Sequence, residues 1–148
     1  MSNSYTFFAT GKPAPQGSKK VHRYIKGRAI LGESSAAVDP WRKVVASCAR
    51  RLQPEQWHAK LPVSLTLTFV FARPKAHFRA NGNLKDNAPQ HCVTRIGDLD
   101  KLCRAVCDAL TGIAYDDDSQ VFSINAERRY ATASESPGAL ITITTIDV

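Results

Sequence analysis

The chain has 148 residues, of which 43% are hydrophobic and 22% charged, with a formal net charge of +7. This length and composition predict one globular domain over residues 1–148, and they exclude a disordered or fibrous protein. The sequence contains no secretory signal and no run of about 18 apolar residues, which excludes a membrane-spanning helix and favours a soluble cytoplasmic protein.

The first half of the chain predicts three strands and one helix. "SYTFFAT" has the composition of a strand, and "VHRYIKGRAIL" that of a hairpin that turns near Lys26 and Gly27. Asp39 and Pro40 are typical of a helix start, and apolar residues follow at helical spacing until Pro54 ends the helix.

The second half of the chain predicts a strand, a long loop, a helix and then two more strands. "PVSLTLTFVFA" alternates strictly and indicates a half-buried strand. Residues 74–97 have neither period and predict a long, mobile, basic loop of the kind that carries function. Apolar spacing then predicts a helix from Asp98 to Thr111 that ends at Gly112. "SQVFSINAERRYA" and "GALITITTIDV" predict an antiparallel pair around a turn at residues 134–138.

This order of elements favours an α+β fold, with two main helices packed on a mixed, largely antiparallel sheet. The four cysteines include no CxxC pair, which predicts free buried thiols. A zinc site that used Cys92 with His91 or His77 would lack the usual paired-ligand spacing.

The charge is divided unevenly along the chain. Residues 1–97 contain 16 Lys and Arg against 4 Asp and Glu, whereas residues 98–148 contain 4 against 9. The densest basic run, "GKPAPQGSKKVHRYIKGR", contains no acid. Basic side chains release condensed counterions when they meet phosphates, so the run predicts a nucleic-acid surface, with a solvated lysine-rich surface as the alternative. The candidate DNA contacts in this run are Lys12, Lys19, Lys20 and Arg23.

The acidic half is concentrated in "GDLDKLCRAVCDALTGIAYDDDSQV", residues 97–121, which holds six of the thirteen acids. Asp98 and Asp100 lie at the first turn of the predicted helix, where capping is one explanation. Asp117 and Asp118 lie in a loop with no predicted helix to cap, and consecutive acids repel one another unless a cation compensates. Carboxylates from two segments are ligands that Mg²⁺ uses, so all four are candidate metal ligands. An EF-hand is excluded because Val121 occupies the position of the loop glycine.

These residues resemble the RusA-type Holliday junction resolvases of bacteria and their phages. The family pattern DxDNxxK, DAL, DDxQV is similar to "DLDKLCR", "DAL" and "DDSQV" in this chain. The resemblance implies a homodimeric, Mg²⁺-dependent endonuclease that cuts four-way DNA junctions in recombination and repair. By position, it implies catalytic roles for Asp98, Asp100 and Asp118. The chain departs from the pattern at Lys101, which replaces the Asn, and at Arg104, which replaces the catalytic Lys.

Phosphodiester hydrolysis needs an activated water and neutralised charge on the phosphate, which metal-bound carboxylates and a nearby cation provide. Arg104 follows Asp100 by one helical turn and is the candidate cation, with an ion pair to Asp100 or Asp108 as the alternative. Lys101 is the other candidate, and it is also a candidate DNA contact. Two rival functions remain: a non-catalytic protein that binds branched DNA, and a nuclease for flaps or other branched DNA.

The predicted helix also bears on how the site is assembled. It carries the chain about 20 Å away from Asp98 before the DDD loop begins, which leaves little slack for the chain to return. We therefore expect a dimer in which Asp98 and Asp100 of one subunit lie beside Asp118 of the other, with a same-chain site as the alternative.

Overall fold

A computed structural model describes residues 2–17, 20–25, 28–32, 36–93 and 97–147. In chain order the elements are β1 (Ser2–Thr10), β2 (Lys20–Ile25), β3 (Arg28–Gly32), α1 (Val38–Leu52), β4 (Val63–Phe71), α2 (Leu99–Leu110), β5 (Val121–Tyr130) and β6 (Gly138–Ile146). Short 3₁₀ turns lie at Lys75–His77 and Asp118–Gln120. The predicted succession of strands and helices is confirmed.

The main sheet has four strands in the order β1-β6-β4-β5, and β2 and β3 form a separate two-stranded sheet. β6 runs antiparallel to both β1 and β4, whereas β4 and β5 are parallel. The connection between β4 and β5 contains α2, as a parallel crossover requires. A mixed, largely antiparallel sheet with two helices confirms the predicted α+β class.

The predicted antiparallel pairing of the last two strands is wrong. β6 lies between β1 and β4, and β5 pairs with β4 instead. β6 buries Ala139, Ile141 and Ile143, whereas Phe122 and Ile124 of β5 are exposed. β6, which has the more complete apolar face, occupies the interior of the sheet. The connection from β5 to β6 therefore passes over β4.

Both helices pack on one face of the sheet. β4 directs alternate side chains toward them, as its sequence predicts: Val63, Leu65, Leu67, Phe69 and Phe71. α1 and α2 bury their own apolar sides in the same core, for example through Trp41 and Leu102. Full burial of each Leu or Phe side chain stabilises the fold by about 1.5–3 kcal/mol.

The helix boundaries lie close to the predicted ones. α1 begins at Val38, so Asp39 lies in its first turn, where it pairs with Arg42 at 3.0 Å, and is not the N-cap. α2 spans Leu99–Leu110, and Gly112 follows it with a φ of 83°, a left-handed value that favours glycine.

The segment between β4 and α2 contains structure that its lack of periodicity did not predict. After the 3₁₀ turn, Phe78 and Leu84 form a β-bridge. The Arg79 N–H donates to the Asn83 carbonyl at 2.7 Å, and the Lys85 N–H donates to the His77 carbonyl at 2.9 Å. Residues 77–85 are therefore a short hairpin, here termed the loop hairpin, held by main-chain bonds that an apolar period does not reveal.

All four cysteines are free, as predicted, although Cys48 and Cys103 are only partly buried. Within the described ranges, no helix is both long enough and apolar enough to cross a bilayer.

Candidate active site

The first turn of α2 carries two of the candidate carboxylates. Asp98 is the N-cap residue, and its main-chain carbonyl accepts the N–H groups of Lys101 and Leu102, both at 3.1 Å. The Asp98 side chain makes no capping hydrogen bond and is exposed. Capping therefore does not explain the carboxylate at this position.

An open cavity of about 590 Å³ lies between α2 and β5 and is termed the carboxylate cavity. Asp100, Arg104 and Asp118 supply its charged lining, and Asp98 is not among its lining residues. The remaining lining is mostly apolar and comes from both elements: Leu99, Cys103, Cys107, Val121, Ile124 and Ala126. Two of the three predicted catalytic carboxylates and the predicted cation thus share one cavity.

The two cysteines of α2 line the carboxylate cavity together with Asp100 and Asp118. Burial, with smaller contributions from Cys107 and Asp100, raises the pKa of Cys103 to about 11. The pKa of Cys107 is also raised, chiefly by burial and with a contribution from Asp118, against a hydrogen bond with Tyr115. The two thiols are one turn apart, about 6 Å along the helix axis. Asp118 lines the carboxylate cavity together with Cys107, and Asp100 lies on the same helix as the two thiols.

The three consecutive acids occupy three different environments. Asp116 pairs with Lys60 at 3.1 Å. Asp117 accepts the Ser119 N–H at 2.8 Å as the N-cap of the Asp118–Gln120 turn, and this backbone bond lowers the Asp117 pKa. The sequence-based statement that Asp117 lies where there is nothing to cap is therefore wrong. Asp118 is the member of the three that lines the carboxylate cavity.

Gln120 fixes residues 116–120, here termed the acidic turn, to the loop before β4. Its side-chain oxygen accepts the N–H groups of Asp116 and Asp117, both at 2.9 Å. Its side-chain nitrogen donates to the Ala59 and Leu61 carbonyls at 2.8 and 3.0 Å. Sequence reasoning missed Gln120, although the capping-box spacing from Asp117 to Gln120 is the signal that could have identified it.

Arg128 and Pro15 fix the start of α2. The Arg128 guanidinium donates a hydrogen bond to the Gly97 carbonyl, directly before Asp98. Gly97 has a φ of 149°, and a Cβ atom there would lie 2.5 Å from Pro15 side-chain atoms. Gly97 therefore permits a close approach that another residue would block. Neither Arg128 nor Gly97 was a sequence-based candidate, because their partners are distant in the chain.

The basic candidates are placed unevenly. Lys12 is exposed in the loop after β1, and in the same loop the Gln16 N–H donates to the Lys101 carbonyl at 3.0 Å. Lys20 and Arg23 lie on β2, and Lys19 lies outside the described residues. The loop after β1 thus reaches the first turn of α2, beside the candidate carboxylates.

Arg104 is exposed on α2 and lines the carboxylate cavity. The ion pairs of the described residues join it to neither Asp100 nor Asp108, and Asp108 instead approaches Arg42 at 3.9 Å. The helical ion pair that was the alternative role for Arg104 is therefore not formed.

In the part of the chain that is described, no three His, Cys, Asp or Glu side chains form a group that could enclose a metal ion. Among those residues, Cys92 therefore belongs to no such group. Mg²⁺, however, is usually bound by one or two carboxylates, with water and substrate phosphate completing its shell. Asp100 and Asp118 on one open cavity fit that requirement.

The family model of the endodeoxyribonuclease RusA matches residues 10–144, nearly the whole chain. A search of curated proteins found no match. The matched range includes the carboxylate cavity, the acidic turn and the loop after β1.

Proposed function

The chain belongs to the RusA endodeoxyribonuclease family, and we propose that it is a Mg²⁺-dependent endonuclease that cuts four-way DNA junctions. Its role would be the resolution of branched DNA in recombination and repair, in the cytoplasm of a bacterium or a phage-infected bacterium. Family membership supports nuclease activity. The junction preference, the metal and the residues rest on the arguments that follow.

The observation that carries the proposal is the meeting of Asp100, Arg104 and Asp118 in one open cavity. A phosphodiester that enters this cavity meets a carboxylate and a guanidinium from α2 and a second carboxylate, Asp118, from the turn before β5. Such a combination suits phosphoryl chemistry, in which charge on the phosphate must be neutralised as the bond breaks.

Asp100 and Asp118 would hold the metal ion, and Asp98, one residue before α2, is the third candidate ligand. Asp117 also remains a candidate, although its Oδ1 atom caps the 3₁₀ turn. When bound, Mg²⁺ would neutralise phosphate charge and make a water molecule more acidic. Arg104 would contact the phosphate that is cut, because the guanidinium matches phosphate oxygens in charge and geometry.

The DNA outside the cut site would be held by the basic half of the chain. Lys12 is exposed on the loop that contacts the first turn of α2, and Lys101 lies in that turn. Lys19, Lys20 and Arg23 extend the same basic run. An acidic cavity alone repels DNA, so the neighbouring cations supply the attraction that brings a phosphate to it.

We also propose that the protein is a homodimer. β5 is an edge strand, and its Phe122 and Ile124 are 57% and 43% exposed. Ile124 belongs to the apolar lining of the carboxylate cavity. An exposed edge strand with apolar side chains invites pairing, and a two-fold partner would supply the second active site that symmetric nicking of a junction needs.

The proposal is tested by incubating the purified protein with a labelled synthetic four-way junction, a flap and a linear duplex, each with and without Mg²⁺. We expect paired nicks in the junction that depend on Mg²⁺, with little cutting of the duplex. Preferential cutting of the flap would support the other branched-DNA nuclease. Binding without cleavage under all metal conditions would support the non-catalytic alternative.

A further inference from the structure

A second cavity, of about 600 Å³, lies at the far end of β5 from Asp118 and is termed the distal cavity. It is bounded by the loop hairpin on one side and by the turn after β5 on the other. The side chains that matter for its chemistry are Arg73, Phe78, Asn83, Leu84, Tyr130 and Thr132. Its volume is within the range of ordinary small-ligand pockets.

The wall formed by Arg73 and Tyr130 is built independently of any ligand. The Arg73 guanidinium lies 4.6 Å from the centre of the Tyr130 ring and donates to the Pro89 carbonyl at 2.8 Å. The His77 ring meets the Tyr130 ring edge to face at 5.4 Å. These contacts join the loop hairpin to the end of β5, so the cavity is preformed.

The lining of the distal cavity also contains an exposed aromatic ring and uncharged polar groups. Phe78 is 37% exposed and Leu84 is 45% exposed, although both line the cavity. Asn83 and Thr132 supply an amide and a hydroxyl in the same lining. A flat aromatic surface combined with an amide is the combination that binds an unstacked nucleobase by stacking and by hydrogen bonds to its edge.

The charge around the distal cavity suits a nucleic acid. Residues 72–93 contain four Lys and Arg and one Asp. The carboxylate of Glu135, which also lines the cavity, is bound by both terminal nitrogens of Arg129 at 2.6 Å. That pairing neutralises the one acid in the lining that could repel a phosphate.

The distal cavity is also aligned with the carboxylate cavity. Ala126 of β5 lines the first and Tyr130 lines the second. An even separation of four residues places them on the same face of the strand, about 13 Å apart. Stacked DNA advances about 3.4 Å per nucleotide of one strand, so this distance corresponds to about four nucleotides.

We infer that the distal cavity binds one unstacked base of the DNA substrate, within about four nucleotides of the cleaved phosphate. Phe78 is the surface on which the base stacks, and Asn83 binds its edge. This inference rests on the proposed function, because it needs DNA to lie across the carboxylate cavity.

The test measures binding of four-way junctions that lack a single base at each of the four positions on either side of the cleavage site. Binding is measured in metal-free buffer, so that no strand is cut. For the wild type, removal of the base at one position should weaken binding about 5- to 150-fold, the range expected for loss of one base–aromatic stack. Phe78→Leu should weaken binding of the intact junction by a similar factor, and the missing base should then cause no further loss.

Three further variants separate stacking from folding and from recognition of the base edge. Phe78→Tyr keeps an aromatic face and should retain the sensitivity to the missing base. Phe8→Ala removes a ring that is equally exposed, at 37%, but lies on β1, and it should leave that sensitivity unchanged. Asn83→Ala should reduce the preference among the four bases at the sensitive position.

The inference is overturned if no position is sensitive to base removal, or if the losses from base removal and Phe78→Leu multiply independently. A junction that is still bound and cut in that case leaves the proposed function intact. A protein that binds no DNA overturns both. A change in oligomeric state on Phe78→Leu, with DNA binding unaffected, would assign the cavity to a protein contact and would also overturn the inference.

Discussion

The side-chain nitrogen of Gln120 donates a 2.8 Å hydrogen bond to the main-chain carbonyl of Ala59, sixty-one residues earlier in the sequence. The oxygen of the same amide accepts two N–H groups of the acidic turn. One side chain therefore connects the loop before β4 with the segment that presents Asp118. Its amide is needed at both ends, because it donates at one end and accepts at the other.

We predict that Gln120→Glu reduces cleavage strongly and leaves junction binding within a few-fold of the wild type. The carboxylate can still accept the two N–H groups, but it cannot donate to the Ala59 and Leu61 carbonyls and is repelled by them. The measurements are single-turnover cleavage and junction affinity. Glu55→Gln, at an exposed position between α1 and β4, is the control. Wild-type cleavage by Gln120→Glu would show that the turn needs no such fixation.

Asp98→Asn, Asp100→Asn and Asp118→Asn should each lower cleavage by roughly 100-fold or more, the scale seen when one group that stabilises transition-state charge is removed. Junction binding should be unchanged or tighter, because each change removes negative charge near DNA and leaves the basic half intact. Cleavage and affinity are measured on the same junction. A variant that cuts at the wild-type rate would remove its residue from the site.

Arg104→Ala should lose most of its activity, because Arg104 is the cation that shares the cavity with Asp100 and Asp118. Lys101→Ala should mainly weaken binding, and its affinity should depend less steeply on salt concentration, as expected for a lost phosphate contact. Cleavage at saturating protein separates the two effects. The reverse outcome, with activity retained in Arg104→Ala and lost in Lys101→Ala, would transfer the catalytic role to Lys101.

In the acidic turn, Asp117 caps the 3₁₀ turn and Asp118 is a candidate metal ligand. Substitutions of the two should therefore change the melting temperature in metal-free buffer in opposite directions. Asp117→Ala should lower the melting temperature because the bond to the Ser119 N–H is lost, whereas Asp117→Asn should preserve it, since Asn also caps well. Asp118→Asn should raise the melting temperature by relieving repulsion among neighbouring acids, as should Asp98→Asn. Saturating Mg²⁺ should reduce the difference in melting temperature between these variants and the wild type, because only the wild type has all its ligands and is stabilised by the metal.

If Asp118→Asn and Asp98→Asn instead melt well below the wild type without metal, these carboxylates stabilise the fold and are not a self-repelling ligand set. Asp116→Asn tests the remaining acid of the three. It should lose an exposed ion pair with Lys60, and such pairs contribute little.

Local patterns in the sequence predicted the helices and strands. The order of the strands in the sheet depends on long-range contacts, and local patterns did not predict it. The alternation of β4 and the apolar spacing of α2 correspond directly to buried faces. The position of β6 between β1 and β4 depends on competition among strands for the interior of the sheet, which no single segment encodes. A short turn before Gly138 therefore predicted a hairpin that does not form.

The candidate site shows the same division. The spacing of Asp98, Asp100 and Asp118 was visible as a motif, and the helix placed Arg104 one turn after Asp100. The anchoring of that motif was not visible, because the Arg128 bond to Gly97 and the contact between Gly97 and Pro15 join residues far apart in the chain. Asp117 could have been recognised as a cap from its spacing to Gln120, but three adjacent acids suggested a single shared role.

The last prediction concerns which subunit supplies Asp118. The length of α2 suggested that Asp118 completes the partner's site. In the folded chain, however, Asp118 lines the same cavity as Asp100, whereas Asp98 does not line it. We therefore expect that mixing Asp100→Asn and Asp118→Asn subunits restores no cleavage, since every site keeps one broken ligand. Mixing wild-type subunits with the double variant is the control: if each site lies within one subunit, every mixed dimer retains one intact site and nicks one strand, whereas a shared site leaves both centres broken. A distinct tag on each variant verifies subunit exchange, and nicking by the two single variants after exchange would establish a site shared between subunits.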